Sequence, residues 1–102
     1  MGNRSEFSAK LKTILGSDET HFQPPASVRM KYPAAVYRIE NIAMRKADNI
    51  PYFLMNCYEV IIIHIDPDED WITPMLNMFP YSRFVRSYTK SNLYHKVFRV
   101  YF

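Results

Sequence analysis

Four carboxylates fall within five residues at Asp66-Pro67-Asp68-Glu69-Asp70. Oxygens at alternate positions open a calcium loop, which then needs glycine at its sixth position and a bidentate glutamate at its twelfth. Trp71 and Asn77 stand there instead, so the calcium reading fails. Acids just ahead of a helix have a simpler use: they accept hydrogen bonds from its unpaired N–H groups and suit its dipole. Capping by Asp68 or Asp70, with the rest of the corner solvated, is the expectation. His21, His64 and His95 show neither HxxxH nor HExxH spacing, so no metal site is expected. His64 ends an apolar run and reads as a satisfied or interfacial histidine. Cys57 is the only cysteine. It cannot close an internal disulfide, and a reducing, intracellular setting is expected. A thiol nucleophile would need a histidine folded against it. An unflanked cysteine in an apolar strand is more often a small core residue. No GxSxG, P-loop or dinucleotide fingerprint occurs, and 2 glycines leave little for a phosphate-cradling loop. The residues therefore point to no catalytic group, no cofactor and no metal, and the chain reads as a non-enzyme.

Tyr81, Phe84, Tyr88 and Tyr94 interleave with Arg83, Arg86 and Lys90. Aromatics among cations are the layout of single-strand nucleic-acid binders. They are equally the layout of a β-hairpin with one buried face, which is the favoured reading because no RNP-type motif accompanies them. The net charge of +3 is mild, but its distribution is uneven. Residues 1–70 hold eight Lys/Arg and ten Asp/Glu, whereas residues 71–102 hold five Lys/Arg and no acid. Such segregation suits either phosphate neutralisation or a basic surface meeting an acidic one on another subunit.

The elements that position these residues follow from periodicity. Phe7, Leu11, Ile14 and Leu15 form one helical stripe within 3–15, with Asn3 or Ser5 as cap and Gly16 past its end. His21 to Pro25 reads as extended or loop because of its two prolines. Within 33–42, Ala35, Tyr37 and Ile39 alternate with Val36, Arg38 and Glu40, a strand pattern. A polar connection over 45–51 leads to a long central strand over 52–65. Ile72, Met75, Leu76 and Phe79 then define a helix within 69–79, with Pro74 tolerable in its first turn. Two strands, 82–88 and 94–102, close the chain through a hairpin connection at Thr89-Lys90-Ser91-Asn92. At 102 residues this is one α+β domain: a mixed or antiparallel sheet of about four strands with two helices on one face. No apolar segment is long enough to cross a membrane.

The central strand carries the main inference. Tyr58, Val60 and Ile62 take one face, and Ile61, Ile63 and Ile65 the other. A small domain covers one face of a sheet with its own helices. An apolar second face calls for an outside partner, and another copy of the chain is the leading candidate. The expected contact places Ile61, Ile63 and Ile65 at its centre. Asp66, Asp68 and Asp70 would meet cations such as Arg86, Lys90 or Arg99 of a neighbour. Arg86, Tyr88, Thr89, Asn92 and His95 form the most motif-like cluster, read either as a contact conformation or as a locally bonded turn.

Several strings in order carry a likeness. They are His21-Phe22-Gln23-Pro24-Pro25, then Met30-Lys31-Tyr32-Pro33-Ala34-Ala35-Val36-Tyr37, then Ala47-Asp48-Asn49 before Pro51-Tyr52. Asp66-Pro67-Asp68 follows, and then Phe84, Arg86, Tyr88, Thr89, Asn92, Leu93 and His95. Together they resemble the tail-terminator, or tail-completion, proteins of tailed phages and prophages. The resemblance implies a virion subunit that closes into a ring, typically a hexamer, at the head–tail junction. It implies the major tail-tube protein and a head-completion or connector protein as partners, with assembly in the bacterial cytoplasm and no specific nucleic-acid binding. A connector component is the alternative of the same kind, and a small nucleic-acid-binding regulator the alternative of another kind. The run Ile61-Ile62-Ile63-His64-Ile65 is less polar than that family leads one to expect.

Overall fold

The computed structural model describes residues 4–24, 30–40 and 56–102. The expected connection over 45–51, the first residues of the long strand and the Asn3 cap lie outside them. Helix α1 spans Arg4–Leu15, and Gly16 ends it at φ 73, donating to the Lys12 carbonyl at 2.8 Å. Only glycine holds that left-handed position without strain. Strands β1 (Thr20–Phe22), β2 (Ala34–Ile39) and β3 (Cys57–His64) follow, then helix α2 (Ile72–Met78) and strands β4 (Ser82–Lys90) and β5 (Leu93–Tyr101).

The fold is α+β, with a five-stranded mixed sheet in the order β1-β2-β3-β5-β4. β1 lies parallel to β2, and every other pair is antiparallel. Sequence periodicity suggests about four strands. The fifth is β1, in the stretch read as extended or loop. Its pairing ends at Phe22, before the prolines begin, and Gln23 turns the chain away at φ 45. Two further boundaries differ. α2 starts at Ile72 because Asp70 caps it, its Oδ1 accepting from the Ile72 and Thr73 N–H groups at 3.0 and 3.1 Å. Pro74 thus sits in the first turn, where its missing N–H costs little. The last hairpin has a two-residue turn, Ser91-Asn92, rather than four, because both residues adopt positive φ (54 and 63) and Lys90 still pairs with Leu93. Two consecutive left-handed residues match the strand twist in a tight hairpin.

Both helices pack on one sheet face. Phe7, Leu11 and Leu15 of α1, with Met75 of α2 and Trp71 and Phe79 beside it, close over Ala35, Tyr37, Tyr58, Val60, Ile62, Phe98 and Val100. The Phe7 ring lies at the centre, stacked on Tyr58 at 4.2 Å and edge-on to Tyr37 at 5.3 Å. Offset and edge-on pairing of this kind adds to the stabilisation from area burial.

Candidate assembly surface

The strand registers lay out the opposite face row by row. One row runs Ala34, Ile63, His95, Tyr88, and the next runs Val36, Ile61, Val97, Arg86. A third runs Arg38, Glu59, Arg99, Arg83. The face is thus apolar at its centre and charged toward one end. Val97 and Ala34 are buried by their neighbours, while Val36, Ile61 and Ile63 stay half-buried and Ile65, just past β3, is 61% exposed. Among the described residues no helix packs on this face. Ile61 and Ile63 are only half-buried, whereas Val60 and Ile62 are fully buried.

Of the residues singled out in the sequence, Ile61, Ile63, Arg86, Tyr88, His95 and Arg99 converge on this one face. A β-bulge brings the β4 members there. Phe84 pairs with Phe98, but Arg86 pairs with Val97, so Val85 is the extra residue. Before it, Ser82 and Phe84 turn toward the helices; after it, Arg86, Tyr88 and Lys90 turn the other way. Without the bulge, simple alternation would put Arg86 and Tyr88 on the Phe84 side. Tyr88 stacks on His95 at 4.5 Å and 12°, and the Arg86 guanidinium lies 5.7 Å from the Tyr88 ring centre. His95 donates from Nδ1 to the Leu93 carbonyl at 3.1 Å. Partial burial holds its pKa below the ordinary histidine value, with the Lys90 charge adding to the effect. Lys90 and Asn92 mark the hairpin tip. The role of Asn92 there is to hold left-handed backbone.

Arg99 stands apart from the expectation made for it. Its Nε donates to Glu40 Oε2 at 3.0 Å within the same protomer, an ion pair that also raises the Arg99 pKa. Arg38 is likewise held by Glu59 at 2.8 Å. Arg83, directly opposite Arg99, makes no ion pair with the described residues, so the charged end of the face carries surplus positive charge. Beside it, the Cys57 thiol is buried, and its pKa is pushed up to about 11, first by burial and then by Glu40. At neutral pH it is protonated, which disables it as a nucleophile.

The acidic corner lies off the end of β3, all its carboxylates exposed. Asp66 Oδ1 accepts from the Asp68 N–H at 2.9 Å, and Asp70 caps α2, with hydrogen bonds from Thr73 foremost in lowering its pKa. The corner is anchored by His64, which is fully buried between Tyr94 and Trp71 and donates from Nδ1 to the Asp66 carbonyl at 2.8 Å. The Asp66 and Asp70 carboxylates serve the local backbone. No group of three or more His, Cys, Asp or Glu among the described residues is arranged to hold a metal ion. No described helix is long and apolar enough to cross a membrane.

Two features here had no reading in the sequence. The bulge at Val85 is invisible because no glycine or proline marks it. A cleft beside α1, lined by Arg4, Lys12 and three aliphatic hydroxyls among others, is assembled only when α1 meets the β1–β2 edge. The spacing of Arg4, Ser8 and Lys12 at i, i+4 and i+8 is the signal that was available. Comparison of the chain with family models, with curated proteins and with solved structures finds no match.

Proposed function

We propose that this chain is a structural subunit that works by association, closing head-to-tail with copies of itself into a ring. In the reading the sequence resemblance favours, that ring is a tail terminator at the head-proximal end of a phage or prophage tail tube. There it meets the tube protein on one side and a connector on the other. The observation that carries the reading is the sheet face opposite the helices, where Ile61 and Ile63 remain half-buried and Ile65 exposed. Heterologous contacts between identical subunits close a ring when the rotation per contact divides the circle. Completing the burial of Ile65 contributes only about 1–2 kcal/mol. The apolar centre is therefore too weak alone, and the charged periphery has to contribute. Asp66, Asp68 and Asp70 of one subunit supply one sign. Arg83, Arg86 and Lys90 of the next supply the other, with Arg99 already engaged by Glu40. Salt is expected to loosen such a contact.

Sedimentation across a range of concentrations, in low and high salt, tests this. The expected result is a closed oligomer that dissociates as salt rises and is absent in Ile63→Asp. A protein that stays monomeric at every concentration and salt, and does not decorate the ends of tail tubes in electron micrographs, would overturn the ring. A second reading, single-strand nucleic-acid binding, draws on the layered Arg86, Tyr88 and His95. It requires steeply salt-dependent retention of oligonucleotides by the purified protein.

A further inference from the structure

A cleft of about 510 Å³ lies between the flank of α1 and the β1–β2 edge of the sheet, on the helix side. Its helical wall is set by spacing. Phe7, Leu11, Ile14 and Leu15 take the buried stripe, so Arg4, Ser8 and Lys12, four residues apart, run together along the flank. Ser5 joins them at the rim. The sheet wall is Thr20 and Phe22 of β1, with Tyr37 of β2 behind. Arg4 is held in place by its guanidinium lying 4.4 Å from the Phe22 ring centre.

The chemistry of this lining is one-sided. Among the described residues it holds two cations, three aliphatic hydroxyls and the Tyr37 phenol, and no carboxylate. Neither Arg4 nor Lys12 makes an ion pair with a described residue. Thr20 Oγ1 is buried and has no hydrogen-bond partner among the described residues. A buried hydroxyl without a partner costs free energy, but this one is closed off from the cleft and is no donor to a ligand. Arginine and lysine with neighbouring hydroxyls are the donor set for a tetrahedral oxyanion. The cleft falls within the roughly 300–1,000 Å³ typical of small-molecule sites, well above the size of a bare phosphate. Phe22 and Tyr37 add aromatic surface to the lining, which favours an apolar or planar body.

We propose that this cleft binds a phosphate monoester carrying a ring-sized body. The phosphate sits between Arg4, Lys12 and the Ser5 and Ser8 hydroxyls, and the body lies toward Phe22 and Tyr37. Glycine-poor chains cannot wrap a phosphate in loop backbone, and here side chains of α1 supply the donors instead. The site lies across the sheet from the open face and is independent of ring formation.

Isothermal titration and thermal shift of the full chain test the proposal, with AMP, ribose 5-phosphate, inorganic phosphate and adenosine as probes. AMP and ribose 5-phosphate are expected to bind in the millimolar range or tighter and to raise the melting temperature. Inorganic phosphate should bind at least about tenfold more weakly, and adenosine not measurably. Arg4→Ala and Lys12→Ala, both at exposed positions, should each weaken AMP by about tenfold or more while leaving the melting temperature of the free protein unchanged. Thr20→Val is the control: it should melt no lower than the parent, since it removes an unpartnered buried hydroxyl, and bind AMP as the parent does. Adenosine binding as well as AMP, AMP binding that ignores Arg4→Ala and Lys12→Ala, or the absence of any binding at 10-fold above the millimolar range would each overturn the site.

Discussion

At the residue scale, two side chains carry predictions through protonation. His95 has a folded pKa below its ordinary value, chiefly from burial against Tyr88. The unfolded chain therefore binds its proton more readily than the folded one. The stabilisation is complete above the ordinary histidine value of about 6.5 and is lost as pH falls through the lower folded value. Melting temperature measured between pH 8 and pH 5 should fall with acidity, and His95→Gln should flatten the part of that slope due to this residue. Cys57 is buried, with its thiol pKa pushed up to about 11. Native protein at pH 8 should therefore react with a thiol reagent far more slowly than urea-unfolded protein. Equal rates would show the thiol to be accessible. The core role of Cys57 was legible from its apolar strand context. The engagement of Arg99 by Glu40 was not, because 59 residues separate the partners and only the fold brings them together.

At the element scale, periodicity carried most of the information. The apolar stripe of α1 gave that helix to within a residue of its described bounds, and the alternation Tyr94, Lys96, Phe98, Val100 against His95, Val97, Arg99 gave the faces of β5. β1 stays open between extended and loop in the sequence because three residues are too few to show a period, and its pairing is decided by β2. The faces of β4 are not legible from alternation, because one extra residue at Val85 inverts everything after it. Deleting Val85 should send Arg86 and Tyr88 toward the helices and Ser87 outward. A loss of the Tyr88–His95 ring contact by NMR, with a melting temperature several degrees lower, is the expected outcome. The turn offers the opposite change. Ser91 and Asn92 both sit at positive φ, so replacing them by Asn-Gly should stabilise the protein by about 0.5–1 kcal/mol in denaturant titration.

For the whole molecule, the governing fact is that both helices spend their apolar faces on one side of the sheet. Phe7 is the keystone of that layer, in ring contact with Tyr37, Tyr58, Phe79 and Phe102. Phe7→Ala should cost about 3–5 kcal/mol, a large part of the roughly 5–15 kcal/mol that holds such a domain folded. By contrast, Ile63→Asp, at a half-buried position on the opposite face, should cost clearly less in urea unfolding than Phe7→Ala while reducing the sedimenting mass. That contrast separates folding from association, because the two residues lie on opposite sides of one sheet.

By itself the sequence determined that β3 is apolar on both faces, that a helix follows an acidic cap, and that positive charge gathers in the last third of the chain. These are local properties, fixed by side-chain period and composition. Only the tertiary structure decided which face the helices take, how β4 turns its cations outward, and that α1 and β1 meet to form a cationic cleft. Those outcomes depend on strand register and on pairing between residues distant in the chain. A period read along a single strand holds no information about either.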